Sequence, residues 1–173
     1  MQAQAFLRAV TMDQADLMDE IVRRLAATEA PYCVIGGQGV NAYVEPLVSL
    51  DLDLVVTVAA VDSLLAGLRP HVRVERFPHS INVSDAGSDL RVQLQLDPRY
   101  ADFPARASER LVLGRPMSVA AVQDVLSGKV WAASDPTRRA SKRQKDLADI
   151  ARLIERFPDL RAQVPSAILD RLF

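Results

Sequence analysis

Hydrophobic and polar positions repeat along this chain with two different periods. Apolar residues spaced three or four apart predict helices over residues 11–29, 61–68, 118–133, 145–154 and 165–173. Short apolar or alternating segments predict strands near residues 33–35, 50–56, 72–75, 80–84, 90–96 and 110–113. Strands and helices are interspersed, which predicts a mixed α/β (α+β) domain: a twisted, mostly antiparallel sheet flanked by helices, with two or three C-terminal helices.

The first helix and the strand over residues 90–96 carry the clearest patterns. Thr11 and Gln14 form a candidate capping box at the start of the helix over residues 11–29. Turn residues at 85–87 separate the strands over 80–84 and 90–96, which predicts a hairpin. The second of these strands alternates, so its apolar residues share one face. Its other face carries Arg91, Gln93, Gln95 and Asp97.

Two aspartates interrupt the otherwise apolar strand over residues 50–56. Asp51 and Asp53 are two residues apart, so they lie on one face of the strand, where like charges repel. A divalent cation between them would remove that conflict, and paired carboxylates often hold Mg²⁺. The preceding strand runs into Gly36 and Gly37 and then a short helix over about residues 37–44. These glycines allow a tight turn and let backbone N–H groups approach an anion.

This combination resembles the nucleotidyltransferases of the polymerase-beta type. In that superfamily a strand, a Gly-Gly or Gly-Ser turn, a short helix and an Asp-x-Asp strand build the site for metal and nucleoside triphosphate. The matching residues here are Gly36, Gly37, Asp51 and Asp53. The chain is also similar to small bacterial abortive-infection (toxin–antitoxin) nucleotidyltransferases, because an arginine-lysine-aspartate segment opens a C-terminal helix. The resemblance covers most of residues 30–155.

The resemblance implies an activity, a cofactor and partners. It implies transfer of a nucleoside monophosphate from a nucleoside triphosphate to a hydroxyl of RNA or protein, with Mg²⁺ as cofactor. Asp51 and Asp53 would then be the metal ligands and catalytic residues. A toxin of a toxin–antitoxin pair would have an antitoxin partner. The metal site is expected on the exposed sheet face between the glycine turn and Lys129.

The sequence departs from the superfamily pattern at two places. Members carry a third carboxylate on a neighbouring strand, where this chain has Gln93 and Gln95, and a glutamine cannot act as a general base. Asp97 shares their face and is the candidate third carboxylate, although it could equally begin the turn that follows. Members also often carry an arginine and a threonine before the aspartates. Here the arginine is absent, and Ser49 stands in for the threonine.

Basic residues near the C-terminus are candidates for contact with phosphates. Lys129 lies on or beside the apolar stripe of its helix, so it either lays its stem along the core or pairs with an anion, such as a triphosphate or an acidic side chain. Arg139 and Lys145 belong to a basic run after Pro136, which is either a solvated face or a phosphate site. Asp146 matches the aspartate that, by the resemblance, positions these basic groups.

Three polar residues after the glycine turn could also reach a ligand. Gln38, Asn41 and Tyr43 fit either that role or the surface of the short helix. The two histidines have no spacing relation to other metal-ligating residues, so they are expected to be surface or loop residues and not zinc ligands.

Composition limits the remaining function classes. The chain has 173 residues, of which 49% are hydrophobic, and a formal net charge of −1, so any anion site must be local. A single cysteine, no leader pattern and no long apolar run predict a cytoplasmic protein without a membrane segment. Residues 1–115 are expected to form the nucleotidyltransferase-like core, and residues 116–173 a helical segment packed on it.

Two further functions remain compatible with the same residues. One is a catalytically degenerate module that binds nucleotide through Asp51 and Asp53 and has lost turnover, which Gln93 and Gln95 favour. The other is a pure interaction protein, such as a toxin–antitoxin partner whose acidic strand meets a basic surface. Dependence on metal separates the nucleotide-binding functions from the interaction protein, and product formation separates the enzyme from the degenerate module.

Overall fold

The computed structural model describes residues 17–173. The candidate capping box of Thr11 and Gln14 lies outside the described residues. Residues 17–28 form helix α1, whose buried side chains Leu17, Met18, Ile21 and Leu25 repeat at helical spacing. The first three strands lie within residues 33–76. They are β1 (Cys33–Ile35), β2 (Asp51–Val55) and β3 (Val72–Arg76).

The remaining elements include five further α-helices and four further strands. Helices α2 (Gly36–Asn41) and α3 (Val58–Leu65) follow β1 and β2 respectively. The later strands are β4 (Ser80–Asp85), β5 (Arg91–Gln95), β6 (Ser108–Val112) and β7 (Arg115–Val119). The C-terminal third holds α4 (Val122–Ser134), α5 (Ala140–Arg156) and α6 (Ser166–Leu172). No helix within residues 17–173 combines the length and apolar character needed to cross a membrane.

All seven strands join one sheet in the order β3-β4-β5-β2-β1-β7-β6. The pairings β1–β7 and β2–β5 are parallel, and the other four are antiparallel. The mixed α+β class and the mostly antiparallel sheet predicted from the sequence are therefore confirmed. The hairpin of β4 and β5 is also present, with Ile81 and Leu94 among its register partners.

Two cores lie on opposite faces of the sheet. One buries α1 and α3 against the alternate apolar residues of the strands, including Leu52, Val83 and Leu94. The other joins α4, α5 and α6 to the β1 side of the sheet through Ile35, Val55 and their neighbours. The polar face of β5 thus stays outside both cores, as the alternation of residues 90–96 predicts.

The predicted helix over residues 118–133 was wrong at its start. Residues 115–119 form strand β7, and α4 begins only at Val122. Met117 and Val119 are buried in the sheet, where β7 pairs with both β1 and β6. Ser118 consequently belongs to a strand and caps no helix. The expected boundary between residues 115 and 116 falls inside β7, so the helical segment begins after this strand.

Candidate active site

The glycine turn lies directly against the second aspartate. Strand β1 pairs antiparallel with β2, which sets Ile35 opposite Asp53, and α2 begins at the next residue. Gly36 has φ of +66°, a left-handed conformation that favours glycine. A Cβ at this position would lie 2.0 Å from Asp53 Oδ2, closer than any real contact allows. The carboxylate of Asp53 therefore occupies the space that any side chain at residue 36 would need.

Asp51 and Asp53 both face one open cleft, as their spacing predicts. The cleft has a volume of about 340 Å³ and is formed by strands β2, β3, β4 and β5 together with the start of α5. Its lining residues are Asp51, Asp53, Glu75, Asn82, Val83, Ser84, Arg91, Val92, Gln93, Arg138 and Lys142.

Cations contact both oxygens of Asp51. Arg91 Nε lies 2.9 Å from Asp51 Oδ1, and Lys142 Nζ lies 3.3 Å from Asp51 Oδ2. Arg91 is the neighbour of Asp51 on β5. Lys142 comes from the first turn of α5, so the helix contributes directly to the cleft.

The carboxyl of Asp53 has an unusual titration. Loss of hydration on burial raises the pKa of Asp53 to about 6, partly offset by the positive charge of Lys129 and increased by the negative charge of Asp51. The ionised form of Asp53 is thus costly mainly because its carboxylate is buried, and the negative charge of Asp51 adds to that cost. An Asp pair in this condition gains stability when a divalent cation binds.

Residues 17–173 hold no group of three or more His, Cys, Asp or Glu side chains that could enclose a metal. Two carboxylates on one open face are nevertheless the donor set that fits Mg²⁺ when waters and phosphate oxygens complete its coordination. The raised pKa of Asp53 and the close approach of Gly36 agree with this fit. Asp51 and Asp53 are therefore the residues that could hold the metal.

Asp146 connects the basic residues around the cleft. Arg138 donates to both Asp146 oxygens, and its Nη2 lies 3.3 Å from Oδ1. Lys129 Nζ donates to the same Oδ1 at 3.1 Å and lies 2.8 Å from Asp149 Oδ2. Asp146 is 1% exposed, so this ion-pair network is buried. It fixes the start of α5, where Arg138 and Lys142 reach the cleft.

Lys129 does not lie where the sequence analysis expected it, at the cleft beside the metal site. Its ammonium is buried between two aspartates and does not line the cleft, although its charge acts on the pKa of Asp53. These aspartates raise the pKa of Lys129 by more than burial lowers it. Of the two alternatives that the sequence left open for Lys129, the structure shows an anionic partner, and that partner is the pair of side chains Asp146 and Asp149. The candidate site lies between the glycine turn and the first turns of α5.

Other predicted site residues lie outside the cleft. Asp97 precedes a short 3-10 helix, accepts a hydrogen bond from the backbone N–H of Arg99 and pairs with that side chain at 3.0 Å. This is the turn role that the sequence left open for it. Arg139 and Lys145 are exposed and line no part of the cleft. On β5 the neighbour of Asp53 is Gln93, which donates to Asn82 Oδ1 at 3.3 Å.

The polar residues after the glycine turn hold the loop that leads into β2. Gln38 is buried and donates to the carbonyl of Ser49 at 2.8 Å. Asn41 exchanges two hydrogen bonds with the backbone of Leu47. Tyr43 donates to the carbonyl of Ala120 at 2.7 Å. Each side chain has a structural partner, which accounts for its polar character.

Sequence reasoning missed several residues of the cleft. Glu75, Asn82, Ser84 and Arg91 project onto the same face as Asp53 from three other strands. The signal was the alternation of β4, where Ser80, Asn82 and Ser84 alternate with two buried apolar residues. Local patterns do not reveal the order of strands in a sheet. Without that order, the sequence could not show that the polar face of β4 lies near Asp53.

The fold is shared with solved nucleotidyltransferases. A solution structure of the antibiotic-resistance factor ANT(2'')-Ia matches with a TM-score of 0.59 and 15% identity, over 87% of this chain and 90% of that one. A crystal structure of ANT(2'')-Ia with adenylyl-2''-tobramycin matches with a TM-score of 0.58 and 18% identity, over 92% and 99%. Lincomycin-bound LnuA, a lincosamide antibiotic adenylyltransferase, matches with a TM-score of 0.52 and 12% identity, over 79% and 95%.

At these identities the likeness shows a nucleotidyltransferase fold. No family model matches the sequence. No curated protein matches it either.

Proposed function

We propose that this chain is a nucleotidyltransferase that transfers a nucleoside monophosphate from a nucleoside triphosphate to a hydroxyl group. The observation that carries the proposal is that Asp51 and Asp53 line one open cleft, with the glycine turn at Gly36 packed against Asp53. The nucleotidyltransferase fold of the chain supports it. The cations Arg138 and Lys142 at the same cleft supply the charge that a triphosphate needs.

Each group has a role in this reaction. Asp51 and Asp53 would hold Mg²⁺, which when bound neutralises charge on the reacting phosphates. Arg138 and Lys142 bind the anionic triphosphate, while Asp146 positions Arg138. Gly36 leaves room for the Asp53 carboxylate, and backbone N–H groups at Gly36 and Gly37, at the start of α2, would orient phosphate oxygens. Reaction at the α-phosphate would form a bond to the acceptor oxygen and release pyrophosphate.

The proposal includes three classes of acceptor. RNA and protein hydroxyls are the acceptors that a toxin of a toxin–antitoxin pair would modify, with an antitoxin as partner. Small-molecule hydroxyls are the third class, because ANT(2'')-Ia was solved with adenylyl-2''-tobramycin and LnuA with lincomycin.

A second function is favoured by one observation. Gln93 is the direct neighbour of Asp53 on β5, where a third carboxylate would otherwise extend the acidic site. A glutamine there cannot take the proton of an acceptor hydroxyl. The alternative is therefore a degenerate module that binds the metal–nucleotide complex without transferring it.

The test is a transfer assay with each α-labelled nucleoside triphosphate, Mg²⁺ and, separately, cellular RNA, cellular protein and a small-molecule extract. Label is expected on one acceptor class with the natural chain and on none with the Asp51→Asn, Asp53→Asn double variant. Asp62→Asn is the matched control, because this carboxylate on α3 is exposed and lines no part of the cleft. Nucleotide binding without transfer would assign the degenerate module. If the natural chain neither bound nor transferred a nucleotide, both nucleotide-dependent functions would be overturned.

A further inference from the structure

A row of polar side chains extends from Asp53 across three further strands. In the register of the sheet, Asp53 is beside Gln93, Gln93 is beside Asn82, and Asn82 is beside Glu75. Directly paired residues project to the same face, so these four side chains share one surface. All four line the cleft that holds the aspartate pair. This polar row is therefore continuous with the candidate metal site.

The polar row is not covered by the C-terminal helices. Among the described residues, the core that packs α4, α5 and α6 onto the sheet takes buried side chains from β1 and β2 and none from β3, β4 or β5. The apolar residues of β4 and β5, such as Val83 and Leu94, point to the opposite core. The row is thus an open surface composed almost entirely of hydrogen-bonding groups.

The cations that line the cleft lie at one end of this surface. Arg91, Arg138 and Lys142 all lie at the Asp51 end of the cleft, through their contacts with Asp51 and Asp146. Glu75 lies at the far end, and its side chain is 43% exposed. Arg73 contacts Glu75, but 74% of the Arg73 side chain is exposed. Ion pairs that are this exposed to solvent contribute little free energy. Glu75 is consequently free to exchange this contact for a ligand cation.

We propose that the polar row is the acceptor subsite, and that the acceptor is a small molecule with several hydroxyl groups and a cationic amine. This inference rests on the proposed transferase function. The amides of Gln93 and Asn82 both donate and accept hydrogen bonds, which suits hydroxyl groups. The Glu75 carboxylate suits an ammonium group.

The sheet also sets the size of this acceptor. Adjacent strands are about 4.8 Å apart, so the three strand intervals from Asp53 to Glu75 span about 14 Å. An acceptor whose reacting hydroxyl lies at Asp53 therefore carries its amine roughly 10–14 Å away, the length of two linked sugar-sized rings. An RNA strand along the same path would bring a phosphate toward Glu75, where like charges repel.

NMR of the ¹⁵N-labelled full chain tests this subsite without requiring turnover. The probes are a glucosamine disaccharide and its N-acetylated form, which share hydroxyl groups and size but differ in amine charge. Each is titrated with Mg²⁺ and a non-hydrolysable analogue of each nucleoside triphosphate in turn. The glucosamine disaccharide is expected to shift the side-chain NH₂ signals of Gln93 and Asn82, and the N-acetylated form to bind at least about tenfold more weakly.

Two variants complete the test. Glu75→Gln should weaken binding of the glucosamine disaccharide by about tenfold while the nucleotide analogues still shift Gly36 and Gly37. Glu109→Gln is the control, because it makes the same change at an exposed residue of β6, at the opposite edge of the sheet. It should alter neither the binding of the disaccharide nor the shifts caused by the nucleotide analogues. Equal affinities for the two disaccharides, no response of Gln93 and Asn82, or an unchanged Glu75→Gln variant would overturn the subsite.

Two outcomes separate this inference from the proposed function. Nucleotide shifts at Gly36 and Gly37 without any disaccharide response would overturn the acceptor subsite alone. Absence of the nucleotide shifts would count against the transferase function itself. A short RNA that shifts Gln93 and Asn82 where the disaccharide does not would replace the small acceptor with RNA.

Discussion

Lys142 Nζ lies 3.3 Å from Asp51 Oδ2, so a cation on α5 contacts the first carboxylate of the proposed metal-binding pair. A metal ion and this ammonium compete for the same oxygen, whereas a bound triphosphate offers the ammonium another partner. Metal and nucleotide are therefore expected to bind more tightly together than the metal does alone.

Lys142→Met should strengthen binding of Mn²⁺ alone and weaken binding of the Mn²⁺–nucleotide complex, each by about two- to fivefold, because a partly exposed charged contact is worth about 0.5–1 kcal/mol. Electron paramagnetic resonance of free Mn²⁺ measures both affinities. Arg171→Met removes an exposed cation on α6 that does not line the cleft. This control variant should change neither of the two affinities. Weaker binding of Mn²⁺ alone in Lys142→Met would contradict the competition.

Gly36→Ala should damage both the fold and the metal site. The added Cβ would lie 2.0 Å from Asp53 Oδ2 in a backbone conformation with φ of +66°. We expect a loss of about 1–3 kcal/mol in the free energy of unfolding, together with weaker Mn²⁺ binding. Gly87→Ala is the control, since the nearest atom to its Cβ would be at an ordinary 3.6 Å. Denaturant melts of both variants measure the difference, and equal stabilities would count against the close approach.

The raised pKa of Asp53 predicts a pH dependence of stability. Its pKa of about 6 lies above the unfolded value of 3.8, so the folded state binds the additional proton between these values. The free energy of unfolding without metal should therefore fall as pH rises from about 4 to 6, and Asp53→Asn should abolish that fall. At pH 7 this variant should be more stable than the natural chain by about 1–2 kcal/mol.

Mg²⁺ reverses this trend because it favours the ionised carboxylate. Added Mg²⁺ should raise the melting temperature more at pH 7 than at pH 5 in the natural chain and have no such effect in Asp53→Asn. Thermal melts at the two pH values, with and without Mg²⁺, measure the effect. A stabilisation by Mg²⁺ that is equal at both pH values would show that Asp53 does not bind the metal.

Lys129→Met should destabilise the chain strongly. It removes the buried cation between Asp146 and Asp149 and leaves each carboxylate with a single arginine partner, Arg138 or Arg152, which costs about 1–3 kcal/mol. Lys145→Met makes the same substitution at an exposed position of α5 and should change stability by less than about 0.5 kcal/mol. If urea melts give both variants the same midpoint, the buried network does not hold α4 to α5.

Local sequence patterns predicted the structure correctly where a single strand or helix determines the geometry. The spacing of Asp51 and Asp53 predicted a shared face, and both line the cleft. The alternation of β5 predicted its polar face. The position of Lys129 on an apolar stripe predicted that its side chain either packs along the core or pairs with an anion. In the structure it pairs with Asp146 and Asp149.

The rest of the site depends on contacts between distant parts of the chain. Lys142 and Asp51 are 91 positions apart, so no local pattern identifies the pair. Strand β7 was missed because Ser118 has the residue type of a helix cap and the strand contains Pro116. Its burial follows from pairing with β1 and β6, which are also distant in sequence.

The most direct test of the central claim is paramagnetic broadening of the ¹⁵N-labelled chain by Mn²⁺ in the presence of a non-hydrolysable nucleoside triphosphate. If Asp51 and Asp53 hold the metal, the signals of Gly36, Gly37 and Gln93 broaden first, because these residues adjoin the pair. The Asp51→Asn, Asp53→Asn variant should then show no selective broadening. Broadening elsewhere in the natural chain, or the same broadening in the variant, would contradict a metal–nucleotide site at this cleft.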